Sequence, residues 1–121
     1  ITRRLMLRIA ERIAQQEGCN YLITGDNLGQ VGSQTLDNMS TITHAITIPI
    51  LRPLLSFNKN ETITIARELN TYDISKGPEM CSVLGPANPA TTSTVERIEA
   101  EESKIENYKM IIDNIISSIK I

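Results

Sequence analysis

Apolar residues recur at helical spacing at the start of the chain. Leu5, Ile9 and Ile13 follow one another every four residues, with arginines between them, which predicts an amphipathic helix from residue 2 to about 16. Gly18 is suited to end that helix. The short apolar run 21–24 has the length and β-propensity of a buried strand. A helix followed so soon by a strand indicates an α/β fold.

A polar segment, residues 25–33, follows this strand and predicts a loop at its carboxyl end. Residues 34 to about 45 carry the apolar positions of a second helix, although the β-branched residues there weaken helical propensity. The apolar run 46–51 predicts a second strand. We expect it to begin at or after Pro49, because proline lacks the N–H that a central ladder uses.

Two capping patterns predict the starts of later helices. Asn58 stands three residues before Glu61, which resembles a capping box, and helical spacing continues to Leu69. Ser93 and Glu96 form an S-x-x-E box, which predicts the start of a long helix to the C-terminus, with a break before residue 105. Residues 76–92, rich in glycine and proline, predict an irregular connection. We expect three acidic residues of the last helix to form a solvated face: Glu99, Glu101 and Glu102.

The order helix, strand, loop, helix, strand, helix, loop, long helix predicts part of a parallel α/β sheet. With so few strands, this sheet would be an incomplete half of a larger one, and its open edges predict self-association. We divide the chain at residue 90, with a C-terminal helical extension over 91–121. The Ile-rich second half of that extension needs a partner surface, either within the chain or across a dimer.

Composition limits the function further. The chain has 121 residues, a mass of 13.4 kDa and a formal charge of −2, so no overall cationic field draws it to nucleic acid, and any such contact must be local. No apolar run approaches the length of a membrane span. The two cysteines, Cys19 and Cys81, predict neither a disulfide scaffold nor a metal couplet. We expect a reduced, cytoplasmic protein that is part of a longer one, because its first residues already match a helix.

The segment Gly25–Gln34 contains three glycines and several hydrogen-bonding side chains directly after a predicted strand. Glycines there allow a ligand to approach the backbone, which indicates nucleotide or phosphate binding. The alternative is that they are ordinary turn glycines, since neither common phosphate-binding glycine motif is matched. Spacing alone leaves both interpretations open.

Three segments read together resemble one family. Residues 3–14 (RRLMLRIAERIA), residues 24–36 (TGDNLGQVGSQTL), and LRPL at 51–54 with TYDIS at 71–75 are similar, in order and spacing, to the tRNA 4-thiouridine synthetases, the ThiI-type sulfurtransferases. The resemblance covers residues 1 to about 90 and corresponds to the C-terminal half of the family's PP-loop domain. It implies a Rossmann-like parallel sheet, the fold of the PP-loop ATPases and adenine nucleotide alpha hydrolases.

The resemblance also implies a chemistry. The family uses ATP with magnesium to adenylate the 4-oxygen of a uridine in tRNA, replaces that oxygen with sulfur from a persulfide, and also serves thiamine thiazole synthesis. In this chain the residues beside the nucleotide and the uridine would be the following: Gly25, Asp26, Gly29, Gln30, Ser33, Gln34 and Arg52. Cys81 aligns with the family's active-site cysteine of this domain.

A thiol in a polar loop suits sulfur transfer, because an exposed thiolate can carry or release a persulfide. The alternative for Cys81 is a small buried hydrophobe. Cys19 follows a helix end, and we expect it to pack under the next strand. Ser82 follows Cys81 where some relatives have a second cysteine, so we expect no iron–sulfur cluster, and we assign no residue of this chain as a metal ligand. Sulfur would come from another protein, such as a cysteine desulfurase.

The arginine series of the first helix leaves two interpretations. Arg4, Arg8 and Arg12 share one helix face and would suit tRNA phosphates, but a solvated face is the commoner explanation. His44 is the single histidine, and we expect it at the surface or packed at a strand edge. The family's SGGxDS pyrophosphate loop is not in this sequence, so the chain alone would not form a complete ATP site. The rival to the enzyme interpretation is therefore a non-catalytic dimerisation or scaffold module.

Overall fold

The computed structural model describes residues 1–29, 34–77 and 90–119. Six helices and two strands lie in these ranges, in the order α1 (Thr2–Gln16), β1 (Leu22–Ile23), α2 (Leu36–Thr43), β2 (Ile50–Leu51), α3 (Lys59–Glu68), α4 (Tyr72–Ser75), α5 (Val95–Glu102) and α6 (Tyr108–Ser118). Except for the short helix α4, each was predicted from the sequence. The α/β class is confirmed.

The two strands are parallel. Leu22 pairs with Ile50 and Ile23 with Leu51, and the backbone N–H of Leu22 donates to the carbonyl of Pro49 at 2.9 Å. Strand β2 thus begins directly after the proline, as predicted, because Pro49 contributes an acceptor and needs no donor. Ile23 is 66% exposed, so one face of this small sheet is open.

Helix α1 runs antiparallel to the strands. Its N-terminal turn lies at their carboxyl ends, where Arg3 contacts Asp26. Further along α1, the Glu11 carboxylate accepts hydrogen bonds from the backbone N–H groups of Thr47 (2.6 Å) and Ile48 (3.1 Å), just before β2. The pKa of Glu11 is lowered, because these bonds outweigh the opposing effect of burial. Glu11 therefore fastens α1 to the start of β2.

Helix ends follow the predicted signals. Gly18 adopts a φ of 69°, and the N–H of Cys19 donates to the carbonyl of Ala14 at 2.7 Å, which is the Schellman ending that favours glycine. At the start of α3, the Asn58 side chain accepts from the Glu61 N–H while the Glu61 carboxylate accepts from the Asn58 N–H. The predicted capping box is confirmed.

The predicted cap of the last helical region is wrong by one residue. Thr94, not Ser93, is the N-cap of α5, and its hydroxyl accepts from the N–H of Arg97. The Ser93 hydroxyl instead donates to Asn38 Oδ1 at 2.6 Å. The side chain that the motif assigned to capping therefore forms a tertiary contact with α2. The predicted break before residue 105 is confirmed, because α5 ends at Glu102 and α6 begins at Tyr108.

The core lies between α1, α2 and α6, each of which contributes one buried apolar residue: Ala14, Met39 and Ile112. Helix α6 packs on α1, so its Ile-rich face finds a partner within the chain. The division at residue 90 stays a prediction. His44 is exposed, as predicted. Cys19 is also exposed, so the expectation that it packs under β1 is wrong: the chain turns outward after the Schellman ending.

The prediction that the acidic residues of α5 are solvated is wrong for Glu102, which is only 6% exposed. The arginines of α1 face it and neutralise its charge, and this partner was invisible in the local pattern. Among the described residues, no helix is both long and apolar enough to span a membrane.

Candidate functional site

A carboxylate and a guanidinium group meet where the two parallel strands end. Asp26 follows β1 by three residues and Arg52 follows β2 directly. Arg52 Nε donates to Asp26 Oδ2 at 3.2 Å, and both side chains are largely buried. Ligands of parallel α/β sheets bind at this carboxyl edge. The structure thus brings together two of the residues that the sequence assigned to the site.

Arg3 completes this cluster from the first turn of α1. Its guanidinium donates to the other carboxylate oxygen of Asp26, Oδ1, while 41% of its side chain remains exposed. The sequence reasoning did not assign Arg3 to the site. A signal was present, because a helix that precedes a parallel strand runs antiparallel to it and brings its N-terminal turn to the strand's carboxyl end.

The Asp26 carboxylate is held ionised. Burial acts to raise its pKa, but the hydrogen bond from the Thr24 hydroxyl (2.8 Å) and the charges of Arg3 and Arg52 outweigh burial, so the pKa is lowered. Two guanidinium groups therefore face one carboxylate, and this part of the site carries a net positive charge. Arg52 also donates to the Thr43 hydroxyl at 2.8 Å, which links the cluster to the end of α2.

Asn27 joins the two loops that leave the strands. Its amide group donates to the carbonyls of Leu54 (2.7 Å) and Phe57, and the N–H of Leu28 donates to the carbonyl of Leu55 at 3.0 Å. The Asn27 side chain is 93% buried by this arrangement. Sequence reasoning missed this residue, although asparagine in a loop after a strand often bridges backbone groups.

The glycine-containing loop is described up to residue 29 and again from residue 34. Gly25 has open space beside its Cα, so a ligand could approach the backbone there. Gly29 has a φ of 77° and its N–H donates to the Gln34 carbonyl at 3.1 Å, which brings the two ends of the loop together. Among the residues that the structure describes, none donates a hydrogen bond to the buried Gln34 Oε1. Three assigned residues lie outside the described ranges: Gln30, Ser33 and Cys81.

The three arginines proposed for tRNA contact form hydrogen bonds and ion pairs with other residues of this chain. Arg4 is 1% exposed and binds Glu102, Glu99 and the Thr41 carbonyl, so its interpretation as a phosphate ligand is wrong. Arg8 donates to Glu102 at 3.0 Å and to the Tyr108 hydroxyl at 2.8 Å. Arg12 is about half exposed and pairs with Asp113 at 2.9 Å. The carboxylates that bind these arginines lie about 90 residues or more away in sequence.

The site as described suits an anion better than a metal. Arg3 and Arg52 offer guanidinium donors, whose fixed geometry matches phosphate or carboxylate. Within 1–29, 34–77 and 90–119, no group of three or more potential metal-ligating side chains comes together.

Comparison with known proteins gives a consistent result. Residues 1–107 match the family model described as Thiamine biosynthesis protein (ThiI). A probable tRNA sulfurtransferase of Caldanaerobacter subterraneus is 42% identical over 116 residues, and that of Thermoanaerobacter sp. (strain X514) is 41% identical; each alignment covers 94% of this chain and 30% of the relative. The chain therefore spans under a third of the length of these relatives.

A solved structure is similar over almost the whole chain. The crystal structure of a 4-thiouridine synthetase in complex with RNA and bound ATP superposes with a TM-score of 0.92 at 40% identity, over 98% of this chain and 31% of that protein. The small parallel sheet and its flanking helices are thus shared with a 4-thiouridine synthetase. With the family model matched over residues 1–107, this chain belongs to the ThiI family of tRNA sulfurtransferases.

Proposed function

We propose that this chain forms part of the catalytic domain of an ATP-dependent tRNA uridine sulfurtransferase that makes 4-thiouridine. The observation that carries the proposal is the cluster of Arg3, Asp26 and Arg52 at the carboxyl edge of the parallel strands. Its net positive charge favours a phosphate-bearing ligand. The similar 4-thiouridine synthetase was solved with ATP and RNA, and both of these carry phosphates. Such an enzyme would act in the cytoplasm.

The residues at this edge fit a nucleotide by their chemistry. Arg3 and Arg52 would face its phosphates, and the open space beside Gly25 would admit it close to the backbone. Gln34 Oε1 is a buried acceptor that no described residue donates to, and it would accept a hydrogen bond from an amino or hydroxyl group of the nucleotide. ATP supplies the adenylyl group that makes the 4-oxygen of uridine a leaving group.

We assign Asp26 to holding the two arginines. Both of its carboxylate oxygens already accept hydrogen bonds, from Arg3 on one side and from Thr24 and Arg52 on the other. A magnesium ion at the nucleotide would accordingly be held by the phosphates and by residues outside the described ranges.

Sulfur transfer is assigned to Cys81. Its thiolate would attack the outer sulfur of a persulfide on a separate donor, such as a cysteine desulfurase, which releases the donor thiol and leaves a persulfide on Cys81. This persulfide would attack C4 of the adenylated uridine with loss of AMP, and an external thiol would cleave the resulting disulfide to release 4-thiouridine. The same delivery of sulfur would serve thiamine thiazole synthesis. Among the arginines first considered for tRNA, Arg12 keeps an exposed guanidinium and remains the candidate for a local phosphate contact.

The test uses a full-length protein that contains this chain, with tRNA, ATP and a persulfide donor. Variants Cys81→Ala and Cys19→Ala are compared with wild type by mass analysis of the tRNA for 4-thiouridine. Cys19 is an exposed cysteine at a helix end, so it is a matched control for general loss of a thiol. We expect product from wild type and Cys19→Ala and none from Cys81→Ala.

Two other outcomes would change the conclusion. Equal product from all three proteins would refute the assignment to Cys81. A wild-type protein that neither binds ATP nor forms product would favour the scaffold module.

A further inference from the structure

A buried charge cluster lies outside the proposed nucleotide site. Glu102, at the end of α5, accepts from Arg4 Nε at 2.9 Å and from Arg8 at 3.0 Å. Arg4 also donates to the carbonyl of Thr41 in α2 at 2.7 Å. One carboxylate thus joins α5 to α1, and through Arg4 to α2, in a part of the protein that excludes water.

The sequence neighbour of Arg4 is Arg3, whose guanidinium contacts Asp26 in the proposed site. Both residues lie at the start of α1 as the structure describes it, and their contacts to Asp26, Glu102 and Thr41 hold this part of the helix in place. Because Arg4 is 1% exposed and bonded through all three guanidinium nitrogens, whereas the Arg3 side chain is 41% exposed, Arg4 is held more firmly than Arg3.

The cluster also holds the other border of the site. The loop that contains Gly25 and Gln34 begins after β1 and leads into α2, and the carbonyl bonded by Arg4 belongs to α2. The Thr43 hydroxyl, two residues further on, binds Arg52 at 2.8 Å. Loss of the Glu102 carboxylate would therefore weaken the contacts by which Arg4 holds α1 and α2 together.

We propose that Glu102 is a positioning residue for the nucleotide site, which acts through Arg4 to place Arg3 at Asp26. This inference rests on the proposed function, since it assumes that Arg3 faces the nucleotide. Glu102 itself touches neither Asp26 nor Arg52. Its carboxylate belongs to the C-terminal segment, so that segment becomes part of the machinery that orders the ATP site.

The test measures ATP affinity by calorimetry, and the KM for ATP and kcat, on the full-length protein, well below the melting temperature of each variant. Glu102→Gln removes the charge at nearly constant shape, and Glu102→Asp keeps the charge but shortens the side chain, should the first variant fold poorly. Glu101→Gln is the matched control, because Glu101 is its exposed neighbour and pairs with Lys104. We expect Glu102→Gln to raise Kd and KM for ATP about tenfold, with a smaller change in kcat, and Glu101→Gln to leave all three unchanged.

A double-mutant cycle separates positioning from a general loss of stability. In an Arg3→Met background, Glu102→Gln should weaken ATP binding less than about twofold further, because the group it positions is gone. Hydrogen exchange gives a readout without ATP: amides of residues 5–8 should exchange faster in Glu102→Gln than in Glu101→Gln.

Three results would overturn the proposal: equal ATP affinity in the two glutamate variants, a full tenfold effect that persists without Arg3, or unchanged exchange in the first turns of α1. A wild-type protein that does not bind ATP would instead refute the proposed function, whereas faster exchange in Glu102→Gln than in Glu101→Gln would still show that Glu102 orders α1.

Discussion

Replacing Arg4 with methionine removes the cation of the buried cluster while keeping a side chain of similar length. The change deletes two hydrogen bonds to Glu102, one to Glu99 and one to the carbonyl of Thr41. Breaking a buried ion pair from one side costs about 3–5 kcal/mol when the remaining charge is left without a partner. Glu102 keeps Arg8 at 3.0 Å, so we expect the lower end, about 3 kcal/mol.

Arg12→Met is the matched control, since Arg12 lies eight residues along the same helix face. Its ion pair with Asp113 is about half exposed on both sides, and such pairs contribute about 0.2–1 kcal/mol. Both variants lose one arginine and gain one methionine. The difference between their unfolding free energies therefore measures the effect of burying the charge, because both variants remove one charge.

Equilibrium urea unfolding, followed by circular dichroism, measures both variants. With an m-value of about 2 kcal/mol per molar, a loss of about 3 kcal/mol lowers the urea midpoint by roughly 1.5 M, whereas Arg12→Met should lower it by less than about 0.5 M. Equal midpoints for the two variants would show that the buried cluster adds no more than a surface pair, and would refute the energetic reasoning behind it.

Two further predictions concern the carboxylates and a helix cap. The pKa values of Asp26 and Glu102 are lowered in the folded chain, for each because hydrogen bonds and arginine charges outweigh burial, so the unfolded state binds protons more readily. The stabilisation that these two carboxylates contribute should be complete above pH 4.5, the ordinary pKa for Glu102, and should be lost as the pH falls through their lowered pKa values in the folded state. Urea midpoints measured from pH 7 to 3 should therefore fall less steeply with acid in Glu102→Gln than in wild type. Asn58→Ala should cost about 1 kcal/mol by losing the capping box of α3, with Asn60→Ala, which lies inside the same helix, as the control measured in the same unfolding assay.

Sequence predicted the elements whose signals are local. The start of β2 after Pro49, the capping box at Asn58 and the glycine ending at Gly18 each depend on groups within a few residues of one another. Such signals can be read without knowledge of the fold. Parallel pairing of the strands also followed from element order, and the contact between Asp26 and Arg52 at the strand ends is a finding of the structure.

Errors arose where a side chain has two competing partners. Ser93 matches the capping motif as well as Thr94 does, but its hydroxyl bonds Asn38, 55 residues away. Glu102 belongs to a local run of acidic residues that resembles a solvated face, yet it is buried against arginines of α1. In both cases the deciding partner lies far away in sequence, and so local patterns carried no information about it.

The arginine face of α1 shows why a basic stripe is a weak signal for nucleic acid. Arg4, Arg8 and Arg12 share a face whether their partners are phosphates or carboxylates, and only the position of α5 and α6 decides between the two. Glu102 and Asp113 pair with these three arginines, and the arginine of α1 that contacts Asp26 at the proposed site is Arg3, which lies off that face. The cation available to a phosphate ligand is therefore Arg3, which lies where the start of α1 meets the strand ends. The ion pairs of Arg4, Arg8 and Arg12 hold α1 in that position.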